Sequence, residues 1–277
     1  MEFYLDTNTL RSLASKLGRL KTNSYTSVWA IIELLCRVSL KDFSVRKGAI
    51  KSILSNEVKI EWRLPFSLIA DSFSCDCNDD CSISQIKEIC QLLISSSDFN
   101  DFNTRVSQQG FSINALKFQR DSLSKNFIGH IRDSNVLLQQ SFKKVIFDKF
   151  SLIDKADLMR WCRDNAYNKE LNIFTFSKLI AHELSLPPLS VYKQYNGLAD
   201  NFMTVYSYFL FKKVEGGSQP ALNDFNDLLH WLYIKNNEIQ KMVSEDKMML
   251  FLNQSFGSDV SIVIPMATFE RMVTYGL

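Results

Sequence analysis

The first ten residues constrain the fold of this chain most strongly. The apolar run Phe3-Tyr4-Leu5 stops abruptly at the polar residues Asp6-Thr7-Asn8. A short, continuous apolar run that ends in polar turn residues is typical of a strand buried on both faces, as in the centre of a parallel sheet. Asp6 would then lie at the carboxyl end of that strand. Ligands bind at this edge in open α/β sheets, so Asp6 is a candidate site residue, with a helix cap as the alternative interpretation.

Three more acidic residues follow in an ordered pattern. Glu33 lies inside the apolar stretch TSVWAIIELL, which predicts a buried helix and makes a charged residue there unusual. Asp227 lies one turn into a predicted helix that opens at Asn223-Asp224. Asp246 follows the segment 242–244, a predicted strand end, and comes 19 residues after Asp227. That spacing leaves room for a helix, a turn and a short strand.

Together with Asp6, these residues resemble the pattern of the PIN-domain nuclease family. In that pattern a strand ends in Asp-Thr-Asn, a Glu lies in the first helices, an Asp opens a later helix, and a strand ends in Thr/Ser-x-Asp. The resemblance covers residues 1–70 and 195–277 and implies an α/β fold, a PIN-like three-layer α/β/α sandwich with a short, mostly parallel sheet. Residues 71–194 would form a large helical insertion or cap. Ser244 departs from the commoner Thr, and the insertion departs from the compact toxins of the family.

The resemblance also implies an activity, the metal-dependent hydrolysis of single-stranded RNA by an endoribonuclease. The catalytic and metal-binding carboxylates would be Asp6, Glu33, Asp227 and Asp246, and the groups around them would be Asn8, Asp224 and Ser244. Clustered carboxylates raise one another's pKa, and divalent cations relieve that cost. Ligand sets made only of oxygen suit Mg²⁺ or Mn²⁺.

Several of these residues have a second interpretation. Glu33 is spaced for an i, i+4 salt bridge to Arg37. Asn223 or Asp224 is the natural N-cap of the helix that carries Asp227. His230 lies one turn beyond Asp227, where we expect a surface histidine rather than a substrate contact. For the whole protein, the alternative to a nuclease is a non-catalytic PIN-like module that binds RNA or protein.

The middle of the chain predicts further helices, near residues 114–125, 130–149, 154–165 and 174–185. Cations and aromatic residues alternate through this segment, and single-stranded RNA needs both, for phosphate neutralisation and for base stacking. Lys143 and Lys144 are the predicted RNA-binding residues. The net charge of the chain is only +2, so an RNA partner would require a local basic patch.

Other segments predict simpler features. The polar stretch SSSDFNDFNTRVSQQG predicts a loop, and the residues after Pro187-Pro188 predict one long helix to about residue 214. Residues 260–264 predict a last strand. Nine glycines and five prolines in 277 residues disfavour a loop-rich β architecture, so helix should dominate.

Composition also bears on the compartment and the partners. The chain has no uncharged apolar run of about 18 residues and no basic, apolar leader, which predicts a cytoplasmic protein that does not contact a membrane. The cysteines between Cys75 and Cys90 lack a standard zinc spacing, so reduced thiols are expected. The resemblance adds a protein inhibitor or antitoxin-like partner, and the oligomeric state is left open.

Overall fold

The computed structural model describes residues 1–17, 23–55, 58–118, 120–122, 125, 169–215, 221–236, 238–257 and 261–275. Lys143, Lys144 and the helices predicted at 130–149 and 154–165 lie outside these ranges.

The described residues contain five strands, which form one sheet in which every pairing is parallel. The strands are β1 (Glu2–Leu5), β2 (Ser24–Ser27), β3 (Lys59–Glu61), β4 (Gln240–Val243) and β5 (Val263–Ile264). Their order across the sheet is β3-β2-β1-β4-β5. The strand predicted from the first ten residues is therefore central, and Tyr4 and Leu5 are fully buried in it. This mixed α/β architecture with a parallel sheet is consistent with an α/β sandwich.

Helices occupy most of the remaining described chain. They are α1 (Thr7–Leu13), α2 (Val28–Cys36), α3 (Phe43–Ser55), α4 (Pro65–Asp71), α5 (Asp80–Ser95), α6 (Phe99–Gln108), α7 (Lys169–Glu183), α8 (Pro188–Tyr192), α9 (Asp200–Glu215), α10 (Leu222–Leu229), α11 (Lys247–Leu252) and α12 (Met266–Tyr275). Residues 113–118 and 120–122 are also helical, and two 3₁₀ turns follow α10 and α11, at His230–Tyr233 and Asn253–Phe256.

The helices pack in two groups. Helices α1, α2, α3, α5 and α6 pack against one another, whereas α9 packs against α7, α10, α11 and the two 3₁₀ turns. Buried side chains of α5, α6 and α7, which lie in the segment predicted to be an insertion, belong to the same hydrophobic core as β1. The described parts of that segment are thus packed into the body of the protein.

The strand order creates one position where the direction of the chain in the sheet reverses. The chain runs outward from β1 through β2 to β3, and then returns to the other side of β1 with β4 and β5. In open parallel sheets such a switch point leaves a crevice at the carboxyl ends of the adjacent strands, here β1 and β4. Leu5 pairs with Val243 at this end, so the next residues, Asp6 and Ser244, lie side by side at the switch point.

Two predictions of local structure are wrong, and one strand was not predicted. The stretch predicted as a loop contains α6, which Asp98 caps by accepting hydrogen bonds from the Asn100 and Asp101 N–H groups. The long helix predicted after Pro187-Pro188 is divided into α8 and α9, with Gly197 at φ +84° between them. The buried helix predicted within TSVWAIIELL is present as α2 with Ser27 as its N-cap, but β2, which ends at Ser27, was not predicted.

Among the helices that the structure describes, none is both long enough and apolar enough to cross a lipid bilayer.

Candidate active site

Asp6 lies at the carboxyl end of β1 and is almost completely buried, with 3% of its surface exposed. One carboxylate oxygen, Oδ1, accepts a hydrogen bond from the Thr9 N–H at 2.7 Å and so caps α1. The other, Oδ2, accepts a hydrogen bond from the Ser244 hydroxyl. Burial raises the pKa of Asp6, and the hydrogen bonds from Ser244 and Thr9 oppose that rise. Asp6 thus caps a helix, as the alternative interpretation predicts, and also lies at the carboxyl edge of the sheet.

Ser244 connects Asp6 to Asp246. Its buried hydroxyl donates to Asp6, and its Oγ accepts a hydrogen bond from the Asp246 N–H at 3.1 Å. The Asp246 carboxylate in turn caps α11, because Oδ1 accepts a hydrogen bond from the Met248 N–H at 2.7 Å. The second oxygen of Asp246, Oδ2, has no hydrogen-bond donor within the part of the chain that the structure describes.

Glu33 is held in place by its backbone as well as by its side chain. The buried Arg46 guanidinium donates to the carbonyl oxygens of Glu33 and Leu34, at 3.3 and 3.0 Å, and pairs with Asp42 at 2.6 Å. At the other end of α2, the Ser27 Oγ accepts a hydrogen bond from the Ala30 N–H. These contacts fix the position of α2, and therefore the point from which Glu33 extends.

The Glu33 side chain makes two hydrogen bonds through a single oxygen. Oε2 accepts from the Thr7 hydroxyl at 2.5 Å and lies 3.1 Å from Nε2 of His230. Burial alone raises the pKa of Glu33, but the hydrogen bond and charge of His230, with the Thr7 hydrogen bond, lower it overall. Glu33 is therefore a buried, ionised carboxylate. Among the described residues it does not form the salt bridge to Arg37 that its spacing allows.

His230 is buried, with only 2% of its surface exposed, so the expectation of a surface histidine is wrong. His230 directly follows α10 and is the first residue of a 3₁₀ turn, which directs the imidazole ring toward the sheet. Nδ1 lies 2.6 Å from the Tyr4 hydroxyl, which lies 2.7 Å from the Ser27 hydroxyl. Burial by itself lowers the pKa of His230, but the adjacent Glu33 raises it overall.

Asp227 differs from Asp6, Glu33 and Asp246 because no described residue donates a hydrogen bond to its carboxylate. It is half-buried, and within the described chain no N–H or O–H group donates a hydrogen bond to its side chain. Burial and the negative charges of Glu33 and Asp246 raise its pKa to about 7, while His230 and Arg37 oppose that rise. Because the charges of Glu33 and Asp246 raise the pKa of Asp227, both carboxylates lie within electrostatic range of it.

The other two predicted site residues, Asp224 and Asn8, form no side-chain hydrogen bond with these four carboxylates. Asp224 pairs with Lys213 at 2.6 Å and accepts a hydrogen bond from the Ala221 N–H, so it stabilises the start of α10. It does so from the first turn of the helix, and the N-cap is Ala221, so the prediction of an N-cap at Asn223 or Asp224 is wrong. The Asn8 side chain is exposed on α1 and forms no hydrogen bond with another described residue.

We define the acidic edge as Asp6, Glu33, Asp227 and Asp246, which come from four separate segments of the chain. Their oxygen atoms are the ligand type that Mg²⁺ and Mn²⁺ prefer, and an oxygen of Glu33, one of Asp246 and both of Asp227 are free of hydrogen bonds from described residues. No three His, Cys, Asp or Glu side chains in the described ranges are grouped closely enough to hold one ion. The chemistry of these oxygen atoms is compatible with Mg²⁺, which keeps several waters and often binds through only one or two carboxylates.

Four residues that organise this edge were not predicted from the sequence: Tyr4, Thr7, Arg46 and His230. Each makes its contact across a large sequence separation or from a buried position. A signal was available for Thr7, which is adjacent to Asp6 at the strand end, and for His230, which lies one turn beyond Asp227 but was expected at the surface.

No protein-family model matches the chain, and no curated protein or solved structure matches it either.

Proposed function

We propose that the protein is a PIN-like endoribonuclease that hydrolyses phosphodiester bonds of single-stranded RNA with the help of Mg²⁺ or Mn²⁺. The observation that carries the proposal is the electrostatic state of the acidic edge. Four carboxylates lie at the switch point of a parallel sheet, and the pKa of Asp227 is raised to about 7 by burial and by its acidic neighbours. A divalent cation would relieve that repulsion, because the charges of His230 and Arg37 offset it only in part.

The individual residues would have distinct roles in this reaction. Asp227, with both oxygens free, would be the principal ligand, and the free oxygens of Glu33 and Asp246 would complete the set from either side. Asp6 would contribute charge and keep Ser244 in place, since each of its oxygens already accepts one hydrogen bond. A bound divalent ion supplies a water of lowered pKa as the nucleophile and stabilises the charge on the phosphate.

The second candidate is the non-catalytic module that binds RNA or protein. It is favoured by one observation, that no three acidic or other ligating side chains among the described residues are grouped around a common point. On this alternative the acidic edge would remain a structural cluster, and added Mn²⁺ would change neither stability nor RNA cleavage.

Cleavage of labelled single-stranded RNA of mixed sequence, with Mg²⁺ or Mn²⁺, distinguishes the two candidates. We expect cleavage by the wild type to stop on addition of a chelator. Asp227→Asn keeps the shape of the side chain and breaks no described hydrogen bond, so it should lower kcat without unfolding the protein. The loss should be about 100-fold or more, the scale seen when one preorganised electrostatic group is removed.

Asp76→Asn is the matched control, because Asp76 is exposed and its side chain forms no hydrogen bond with described residues. It should cleave at the wild-type rate. Chelator-resistant cleavage, or equal rates for Asp227→Asn and the wild type, would reject the metal-dependent mechanism.

A further inference from the structure

The buried chain of hydrogen bonds behind Glu33 orients one oxygen of this residue and leaves the other open. Both described donors to Glu33, the Thr7 hydroxyl and the His230 ring, contact Oε2, at 2.5 and 3.1 Å. Oε1 receives no hydrogen bond from the part of the chain that the structure describes. Since Glu33 is 5% exposed, its carboxylate is held in one orientation by two fixed partners rather than by solvent.

The contacts around His230 form a continuous chain. The Ala30 N–H donates to Ser27 Oγ at 3.2 Å, the Ser27 and Tyr4 hydroxyl oxygens are 2.7 Å apart, and the Tyr4 hydroxyl oxygen lies 2.6 Å from His230 Nδ1. An ionised carboxylate can only accept, so Nε2 of His230 carries a proton and donates to Glu33, both when Nδ1 accepts from Tyr4 and when it donates to Tyr4.

The elements that carry this chain are rigid parts of the fold. Tyr4 is on the central strand and fully buried, Ser27 ends the neighbouring strand, and His230 directly follows α10. Tyr4 also stacks against Tyr233 with ring centroids 6.0 Å apart. The backbone therefore fixes both ends of the hydrogen-bond chain, and Glu33 has little freedom to turn away.

We propose that His230 is a positioning residue, which with Thr7 holds Glu33 so that its free oxygen can bind the divalent cation. The inference rests on the proposed function and deepens it, because it assigns the group that selects one oxygen of Glu33 as the ligand. Residues that hydrogen-bond to metal ligands in this way typically change metal affinity by about 10- to 100-fold when they are replaced.

Two substitutions of His230 separate this role from a purely structural one. The amide nitrogen of Gln can take the place of Nε2, so His230→Gln retains the donor to Glu33 and loses only the contact with Tyr4. The amide of Asn reaches only the position of Nδ1, so His230→Asn loses the donor to Glu33. We expect His230→Asn to bind Mn²⁺ about 10- to 100-fold more weakly than the wild type and His230→Gln to bind within a few-fold of it.

Thr7 offers an independent pair if His230→Asn fails to fold. Thr7→Val removes the hydroxyl donor at nearly constant shape, and Thr7→Ser retains it. Thr7→Val should weaken Mn²⁺ binding, by less than His230→Asn, while Thr7→Ser should bind as the wild type does.

The measurement is Mn²⁺ titration followed by electron paramagnetic resonance, with the melting temperature in chelator recorded for every variant. A selective loss of affinity in His230→Asn and Thr7→Val supports the proposal. Equal Mn²⁺ affinity in the wild type and in all folded variants overturns it, and leaves the proposed function intact if the wild type still cleaves RNA. Absence of Mn²⁺ binding in the wild type itself overturns the proposed function, and this inference with it.

Discussion

Asp227, a half-buried carboxylate, has the most unusual environment of the four residues in the acidic edge. Its oxygens have no donor among the described residues, whereas Asp6, Glu33 and Asp246 each accept at least one hydrogen bond. A buried acid without donors is costly when ionised, and its pKa of about 7 expresses that cost. Such a residue lowers the stability of the protein at neutral pH unless a cation or a proton binds to it.

The raised pKa of Asp227 predicts how stability depends on pH. In the unfolded chain this group has its usual pKa of 3.8, so between about pH 4 and 7 the folded state keeps a proton that the unfolded state has lost. The contribution of Asp227 to stability therefore falls as the pH rises to about 7 and then levels off. Asp227→Asn, which cannot ionise, should gain stability relative to the wild type by about 2 to 3 kcal/mol between pH 5 and pH 8.

Urea unfolding in chelator at these two pH values checks this expectation, with Asp76→Asn as the exposed control. The control should differ from the wild type by a constant amount at both pH values. A stability difference for Asp227→Asn that does not change with pH would mean that the Asp227 carboxyl ionises normally in the folded protein.

The elements of secondary structure were predictable to different degrees. β1 and the buried helix around Glu33 were found because an apolar run has few alternatives, and the structure places Glu33 inside α2 as expected. β2 was missed because its four residues, SYTS, carry no alternation and merge with the helix that follows. α6 was missed although Phe99, Phe102 and Val106 have helical spacing after an N-cap residue, because the polar composition around them favoured a loop.

The candidate site was predictable only as far as it depends on strand ends. Asp6 and Asp246 follow strands directly, so the edge at which they meet follows from the topology of a parallel sheet. The contacts of His230 depend on the direction of a 3₁₀ turn and on a partner 226 residues away in the sequence. No local pattern encodes such a contact.

The position of α2 depends on a buried arginine that sequence patterns do not identify. Arg46, on α3, donates to two carbonyl oxygens at the end of α2 and pairs with Asp42. Replacement by Met leaves those carbonyl groups and the carboxylate without their donor, so Arg46→Met should lower the free energy of unfolding by about 2 to 4 kcal/mol. Lys51→Met, at an exposed position of the same helix, should change it by less than about 0.5 kcal/mol.

Denaturant unfolding at one pH measures both variants. If Arg46→Met is as stable as Lys51→Met, the buried contacts of Arg46 are replaced by water or by other groups, and α2 does not depend on them.

At the scale of the whole molecule, the order of the strands explains why residues so distant in sequence meet. β1 and β4 are neighbours although more than 230 residues separate them, so Asp6 and Ser244 come to share a hydrogen bond. The near-neutral chain, with a net charge of +2, thereby concentrates negative charge at one edge of its sheet. On the proposed function, a bound cation would offset this charge and so link RNA binding to metal binding, because an acidic edge repels a polyanion.

The most direct test of the account is a crystal structure of the protein soaked in Mn²⁺, with the ion located by its anomalous scattering. We predict a peak at the acidic edge in which Mn²⁺ is bonded to an oxygen of Asp227 and to the free oxygen of Glu33 or Asp246, with the hydrogen bond between Ser244 and Asp6 retained. A crystal saturated with Mn²⁺ that shows no anomalous peak at Asp227 would contradict the central claim.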